Sequence, residues 1–247
     1  VKTSLVKTYG LPFNFENITL HNYNYLLYDY GKVMDALTNS LKLAGGTMLI
    51  CLVVGTFIAY LRVRKPSFVS KFLEIVITIP YTLPGMVLAL AMIFAWMQPI
   101  PGWNPGIYGS IWILLIAYVT RFMVLQVRGS SSAITQVSTD LEEAAHIFGA
   151  NAWTKWRYIL FPLILPGVLS GSILVLLTTL TELTISSLLW STGAETIGVI
   201  IFNFEQAGYT TYSTAFSVIT LMFMGILAAI VYGVIYLWQR RLNVNEN

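Results

Sequence analysis

Long apolar runs alternate with short polar intervals along this chain. Residues 43–61, 75–97, 159–180 and 212–237 contain no charged side chain. Each run approaches or exceeds the ~20 residues that an α-helix needs to cross a bilayer. A fifth run, 107–120, is shorter, but its apolar pattern resumes after Arg121 through Leu125, and Arg121 is expected to snorkel to the interface. The pattern predicts five spans in an all-α, multi-span transmembrane helical bundle. A weaker patch, 183–201, is interrupted by Ser191, Thr192, Gly193 and Glu195 and predicts a re-entrant or interfacial segment.

Basic residues orient the spans. Arg62, Arg64, Lys65 and Lys71 follow the first run, Arg121, Arg128, Lys155 and Arg157 flank the interval between the third and fourth, and Arg240 and Arg241 follow the fifth. If the spans alternate, all of these fall on one side, whereas Lys2, Lys7, Lys32 and Lys42 fall on the other. The polar loop 127–158 and the tail 242–247 are therefore expected in the cytoplasm, and the N-terminus outside. Export of that N-terminus implies an upstream helix, and a first residue Val1 in place of Met suggests that the chain begins mid-protein. Residues 1–31 are rich in Tyr, Asn and Phe. They read as an extracytoplasmic or interfacial segment, with Tyr23, Tyr25, Tyr28 and Tyr30 near headgroup level, ahead of a membrane domain at 32–241. The interval 98–106 holds three prolines and two glycines and predicts a rigid turn.

Composition sharpens the class. The chain is 56% hydrophobic and 10% charged, against about 25% charged in a soluble domain. No block of like charges suggests a nucleic-acid surface. A single cysteine, Cys51, lies in an apolar run and reads as a packing residue.

The loop 127–158 carries its own helical signals. Thr139-x-x-Glu142 matches a capping box, which places Asp140, Glu142 and Glu143 in a first turn whose dipole favours acids. Leu141, Ala144, Ala145 and Phe148 form a narrow apolar stripe. Gly149 stands where a left-handed cap is expected. Asn151 begins a second helix that carries Trp153 and Trp156 towards the membrane, and Pro162 and Pro166 should bend the span it enters. The loop thus reads as helix, glycine turn, and a second helix continuous with a span. A push on the first helix would move that span.

This stretch resembles the "EAA" loop of type I ABC importer permeases: Glu143-Ala144-Ala145, then Gly149, then Ile159-Leu160-Phe161-Pro162, with Phe161 where the family has Leu. The resemblance implies a MetI-like fold. It also implies a coupling helix, carried by Leu141, Glu142, Glu143, Ala144, Ala145, Phe148 and Gly149, that docks on a cytoplasmic ATPase. A second permease half or subunit, an extracytoplasmic substrate-binding protein and an inner-membrane location are implied as well. Thr181-Glu182-Leu183, Ser187-Leu188-Leu189 and Glu195-Thr196-Ile197 are similar to the stretch after the penultimate helix of ferric-iron permeases and their thiamine and aminoethylphosphonate relatives, with Thr181 in place of Lys. By that resemblance the chain is the second half of a fused ferric-iron permease, begun after that half's first helix. Thiamine, aminoethylphosphonate, polyamine or sulfate are alternative cargoes. No Gly-x-x-x-x-Gly-Lys sequence is present, since Gly31-Lys32 lacks the leading glycine, so ATP and magnesium are expected on the partner and no cofactor in this chain. A secondary transporter is the reading of a different class. A membrane enzyme is disfavoured by the lack of any clustered catalytic set.

Polar residues at membrane depth are candidates for a translocation path. Glu182 either lines that path or is a helix-end acid paired with a neighbour. Asn39, Ser40, Thr178, Thr179, Thr181, Thr184, Ser186 and Ser187 either line it, or bond their own backbone or join helices together. Pro80 and Pro84, with Gly85, either kink the second span or turn backbone carbonyls towards a cavity. No His, Cys or carboxylate pair has metal-ligand spacing.

Overall fold

The computed structural model describes residues 1–98 and 106–244. The predicted turn at 98–106 and the tail at 242–247 thus lie largely outside the described residues. The fold is helical, with one isolated antiparallel bridge between Val6 and Ile18. Nine helices are named here: α1 (Lys32–Arg64), α2 (Phe68–Thr82), α3 (Gly85–Met97), α4 (Ile111–Thr135), α5 (Thr139–Ile147), α6 (Ala152–Leu180), α7 (Ser186–Leu189), α8 (Ile197–Gln206) and α9 (Thr210–Val244). α1, α4, α6 and the Thr210–Ala229 part of α9 are long and apolar enough to cross a membrane; the α2–α3 pair brings the number to five if it counts as one span. The chain forms two compact units, Thr38–Gly198 and the pairing of Val1–Leu37 with Val199–Asn247.

Within Thr38–Gly198, the structure corrects three boundaries. The span expected at 75–97 begins earlier, at Phe68, and is two helices bent by 112°, a kink among the readings its prolines and Gly85 allowed. The break falls at Leu83, whose φ of −74° and ψ of 144° are extended, the conformation that a following proline favours. Pro80, by contrast, stays inside α2. The third span does not stop at Leu125: α4 continues to Thr135, so the first nine residues of the predicted loop belong to it, and Val127, Ser130, Ala133 and Ile134 are buried. The physical reason is close approach to α6. A Cβ on Gly129 would stand 3.0 Å from Gly171 Cα, and one on Gly167 would stand 2.5 Å from Ala133 Cβ. Small residues at such an interface let two backbones pack directly. The first span also begins earlier than residue 43, with Asn39 and Ser40 inside α1.

α6 contains a wider turn at Trp156–Leu160, closed by Phe161 N–H donating to Trp156 O, just ahead of Pro162. Proline has no N–H to offer, and such widened turns accommodate that inside a continuing helix. The interrupted patch at 183–201 resolves into α7 and the start of α8, neither of span length, as its pattern predicts.

A buried polar node joins three helices. Gln126 of α4 is fully buried. Its Nε2 donates to Ser130 Oγ at 3.0 Å and to Val168 O of α6 at 3.1 Å, and lies 3.4 Å from Thr56 Oγ1 of α1. Its Oε1 accepts from Ser172 Oγ at 2.9 Å. Thr56 and Ser130 pair at 3.1 Å. Every polar atom of the amide has a partner, which is the condition for burying one without large cost.

In the second unit, the N-terminal segment is folded onto itself and onto α9. Asn22 Nδ2 donates to Ser4 O at 3.0 Å and Val6 O at 2.9 Å. The Tyr25 ring stacks on Tyr212 with centroids 4.6 Å apart, and Tyr30 packs against Phe204 at 4.9 Å. Tyr28 is exposed.

Candidate coupling loop and broken span

α5 is defined by caps at both ends. Ser138, extended at φ −62° and ψ 140°, accepts from Asp140 N–H at 3.1 Å. The N-cap is therefore Ser138 and not Thr139, which removes the expected Thr139–Glu142 capping box and leaves the Glu142 carboxylate for another partner. At the other end, Gly149 has φ +80°. Its N–H donates to His146 O at 3.0 Å, while Ala150 N–H reaches back to Ala145 O at 2.9 Å. These two bonds are the Schellman closure of a helix, and the left-handed residue they require is the glycine. Asn151 Oδ1 then accepts from Thr154 N–H at 2.8 Å and starts α6. The predicted helix, turn and continuous second helix are all present.

No residue of α5 is buried. Leu141 is 48% exposed, and Ile147 and Phe148 beyond it are 84% and 90% exposed. Glu143 and Ala144 are exposed and Ala145 is half-buried. Among the described residues, Leu141, Ala144 and Phe148 of the apolar stripe and Gly149 after it are left exposed. Beside α5, between α4 and α6, lies an open cavity of about 840 Å³ lined in part by Gly129, Ala133, Gln136, Ser138, Leu141 and Pro166.

Glu142 has a partner that the sequence did not reveal. Its Oε1 lies 2.7 Å from Arg64 Nε at the end of α1, with the side chains 19% and 11% exposed. The Arg64 guanidinium also donates from Nη2 to Val137 O at 2.6 Å.

The predicted path residues fall into separate places. At the α2–α3 break, Arg121 Nη1 donates to Leu83 O at 3.1 Å. Arg121 therefore holds the break. Pro84 N-caps α3, and Gly85 is pressed against Thr184, whose Oγ1 would lie 1.9 Å from a Cβ there. Thr184 Oγ1 donates to Glu182 Oε1 at 2.6 Å. The Glu182 carboxylate also accepts from Ile185 N–H at 3.0 Å and Ser186 N–H at 3.2 Å. Of its two readings, the geometry is that of an acid paired with its neighbours: it caps α7 and is buried. Asn39 and Ser40 meet a different segment. Asn39 Nδ2 donates to Gly193 O at 3.0 Å and Glu195 O at 3.1 Å, and Ser40 Oγ accepts from Ile197 N–H at 2.9 Å. Thr181 is exposed and bonds its own helix at Leu177 O, and Ser187 donates locally to Thr184 O at 3.3 Å. Pro80 lies within α2, away from the break. Pro84 and Glu182 thus converge near Arg121, Gly85 and Thr184, whereas Asn39 and Ser40 brace the 193–197 segment. Sequence reasoning missed Gln126 and the Arg64–Glu142 pair, whereas Thr184 was among its path candidates. Only Arg121 carried a signal, as the charge that interrupts the third run.

Residues 51–244 match the family described as binding-protein-dependent transport system inner membrane component. The chain belongs to that family. As a member it is a multi-pass inner-membrane protein. Among its relatives it is 22% identical over 198 residues to the Fe(3+)-transport system permease protein FbpB 2 of Haemophilus influenzae, covering 80% of this chain and 38% of FbpB 2. It is 27% identical over 199 residues to PhnV of Salmonella typhimurium, a permease protein proposed for 2-aminoethylphosphonate transport, covering 79% of this chain and 74% of PhnV. The fold is that of a solved inward-facing MetNI methionine ABC transporter chain, with a TM-score of 0.65 at 20% identity over 83% of this chain and 93% of that one. Among the described residues, no group of three or more His, Cys, Asp and Glu is placed to hold a metal ion.

Proposed function

We propose that this chain is a permease subunit of an ATP-driven importer and that α5 is its coupling helix. The observation that carries this reading is an apolar face, Leu141, Ile147 and Phe148, left uncovered on a helix with nothing buried. A short amphipathic helix of this kind is suited to lie in a groove of a partner, here a cytoplasmic ATPase that binds ATP and magnesium. Leu141, Glu143, Ala144, Ala145 and Phe148 form the contact, Glu142 anchors the helix, and Gly149 joins it to α6. The loop and the C-terminus face the cytoplasm and the N-terminal segment faces outward. A second permease half completes the path, and a binding protein delivers cargo to its outer mouth. ATP binding draws the ATPases together, moves α5, and exchanges inward and outward access; hydrolysis resets it.

Ferric iron is the favoured cargo. The similarity of 181–197 to ferric-iron permeases supports it, as does the likeness to FbpB 2; the likeness to PhnV supports a phosphonate as the second reading. In this scheme the residues near Glu182, Asn39 and Ser40 shape the path by bracing backbone segments. The test is to purify the chain with its neighbouring gene products and measure uptake of radioactive iron into ATP-loaded proteoliposomes bearing the binding protein. ATP-dependent iron uptake supports the reading. Uptake of 2-aminoethylphosphonate alone would replace the cargo, and transport without any associated ATPase would overturn the class.

A further inference from the structure

We infer that Arg64 is a positioning residue that ties α5 to the first span, giving the coupling helix a second route into the membrane beside its covalent continuation into α6. This rests on the reading of α5 as the docking element. Arg64 is the last residue of α1. One face of its guanidinium meets Glu142 at 2.7 Å, in the first turn of α5, and its Nη2 donates at 2.6 Å to Val137 O, just past the end of α4. One side chain therefore joins the ends of three helices.

The charges suit their places. A cation at the C-terminus of α1 and a carboxylate at the N-terminus of α5 each complement the local helix dipole. Both side chains are largely shielded, at 11% and 19% exposure. The neighbouring pair Arg62–Glu74 is the internal control: its side chains are 35% and 47% exposed and it links α1 only to α2. The contact with Glu142 is an ion pair, and the hydrogen bond is the one to Val137 O; an extended guanidinium can hold both partners at once, whereas lysine presents a single point charge. α1 in turn meets the Gln126 node through Thr56, so force entering at Arg64 reaches the body that α4 and α6 form.

Two measurements test the clasp. In the permease alone, spin labels at Lys65→Cys and His146→Cys, in a Cys51→Ser background, report the distance between the end of α1 and α5. Arg64→Gln and Glu142→Gln broaden that distribution, and Arg64→Lys, which keeps the charge, broadens it less. A distribution unchanged in Arg64→Gln overturns the proposal, whatever the transport class. In the assembled transporter, Arg64→Gln lowers uptake per ATP hydrolysed by about five-fold or more, Arg64→Lys restores part of it, and Arg62→Gln has no effect. Equal losses in Arg62→Gln and Arg64→Gln would overturn the assignment to Arg64, whereas a wild-type transporter with no ATP-driven uptake would count against the importer reading and leave the distance result standing.

Discussion

In the proposed linkage, Gly149 separates α5 from the span it would drive, and a graded series at this one position tests that linkage. The backbone there sits at φ +80°, and a Cβ built on it meets nothing within 4 Å. A side chain at Gly149 therefore introduces no clash, and its cost is conformational alone. For alanine, a left-handed conformation costs roughly 1–2 kcal/mol, enough to shift a local equilibrium by about 5–30-fold. Asparagine tolerates that region better and should fall between glycine and alanine. Proline is excluded outright: its ring fixes φ near −65°, and it removes the N–H that donates to His146 O at 3.0 Å. Uptake per ATP hydrolysed, measured in proteoliposomes with the ATPase and binding protein, should fall in the order Gly, Asn, Ala, Pro. Thermal unfolding of the permease in detergent should stay near wild type, since α5 buries nothing that the spans need. Wild-type coupling in Gly149→Pro would refute the reasoning, and so would an alanine variant as impaired as the proline one.

Further outcomes follow from the packing. Glu143→Lys, on an exposed position of α5, should abolish ATP-dependent uptake while leaving the thermal midpoint unchanged; normal uptake would remove Glu143 from the docking face. Gln126→Leu should destabilise the bundle by only about 1–2 kcal/mol in reversible unfolding. Thr56 and Ser130 still pair with each other, and Ser172 keeps Val168 O at 3.0 Å. A loss beyond about 4 kcal/mol would mean that the node does more than join neighbours. Gly167→Ala places a Cβ 2.5 Å from Ala133 Cβ, so overpacking should cost about 1–3 kcal/mol, and Ala133→Gly in the same chain should recover most of it.

The loop was the most legible part because its signals are local. Gly149, Asn151 and the acidic first turn act within one or two turns of helix, and each sits where the sequence placed it. The capping box failed by one residue because Ser138 and Thr139 offer equivalent hydroxyls, and only the entry angle of the chain after Val137 selects between them. The end of α4 was misjudged for another reason. The polar, small residues from Arg128 to Thr135 look like a loop until Gly171 and Gly167 of α6 are seen packed on Gly129 and Ala133, with Ser130, Ala133 and Ile134 buried.

Hydrophobic run length and basic asymmetry determined by themselves that this chain crosses a membrane several times with one long polar loop, because the bilayer imposes a length and the charges resist burial. Tertiary structure alone decided which polar residues meet. Arg64 with Glu142, Arg121 with Leu83, Asn39 with the 193–197 backbone and Gln126 across three helices are contacts between residues far apart in the chain. No local periodicity encodes such meetings. They arise because a polar group removed from water must find a partner, and the packing of helices decides which one is within reach.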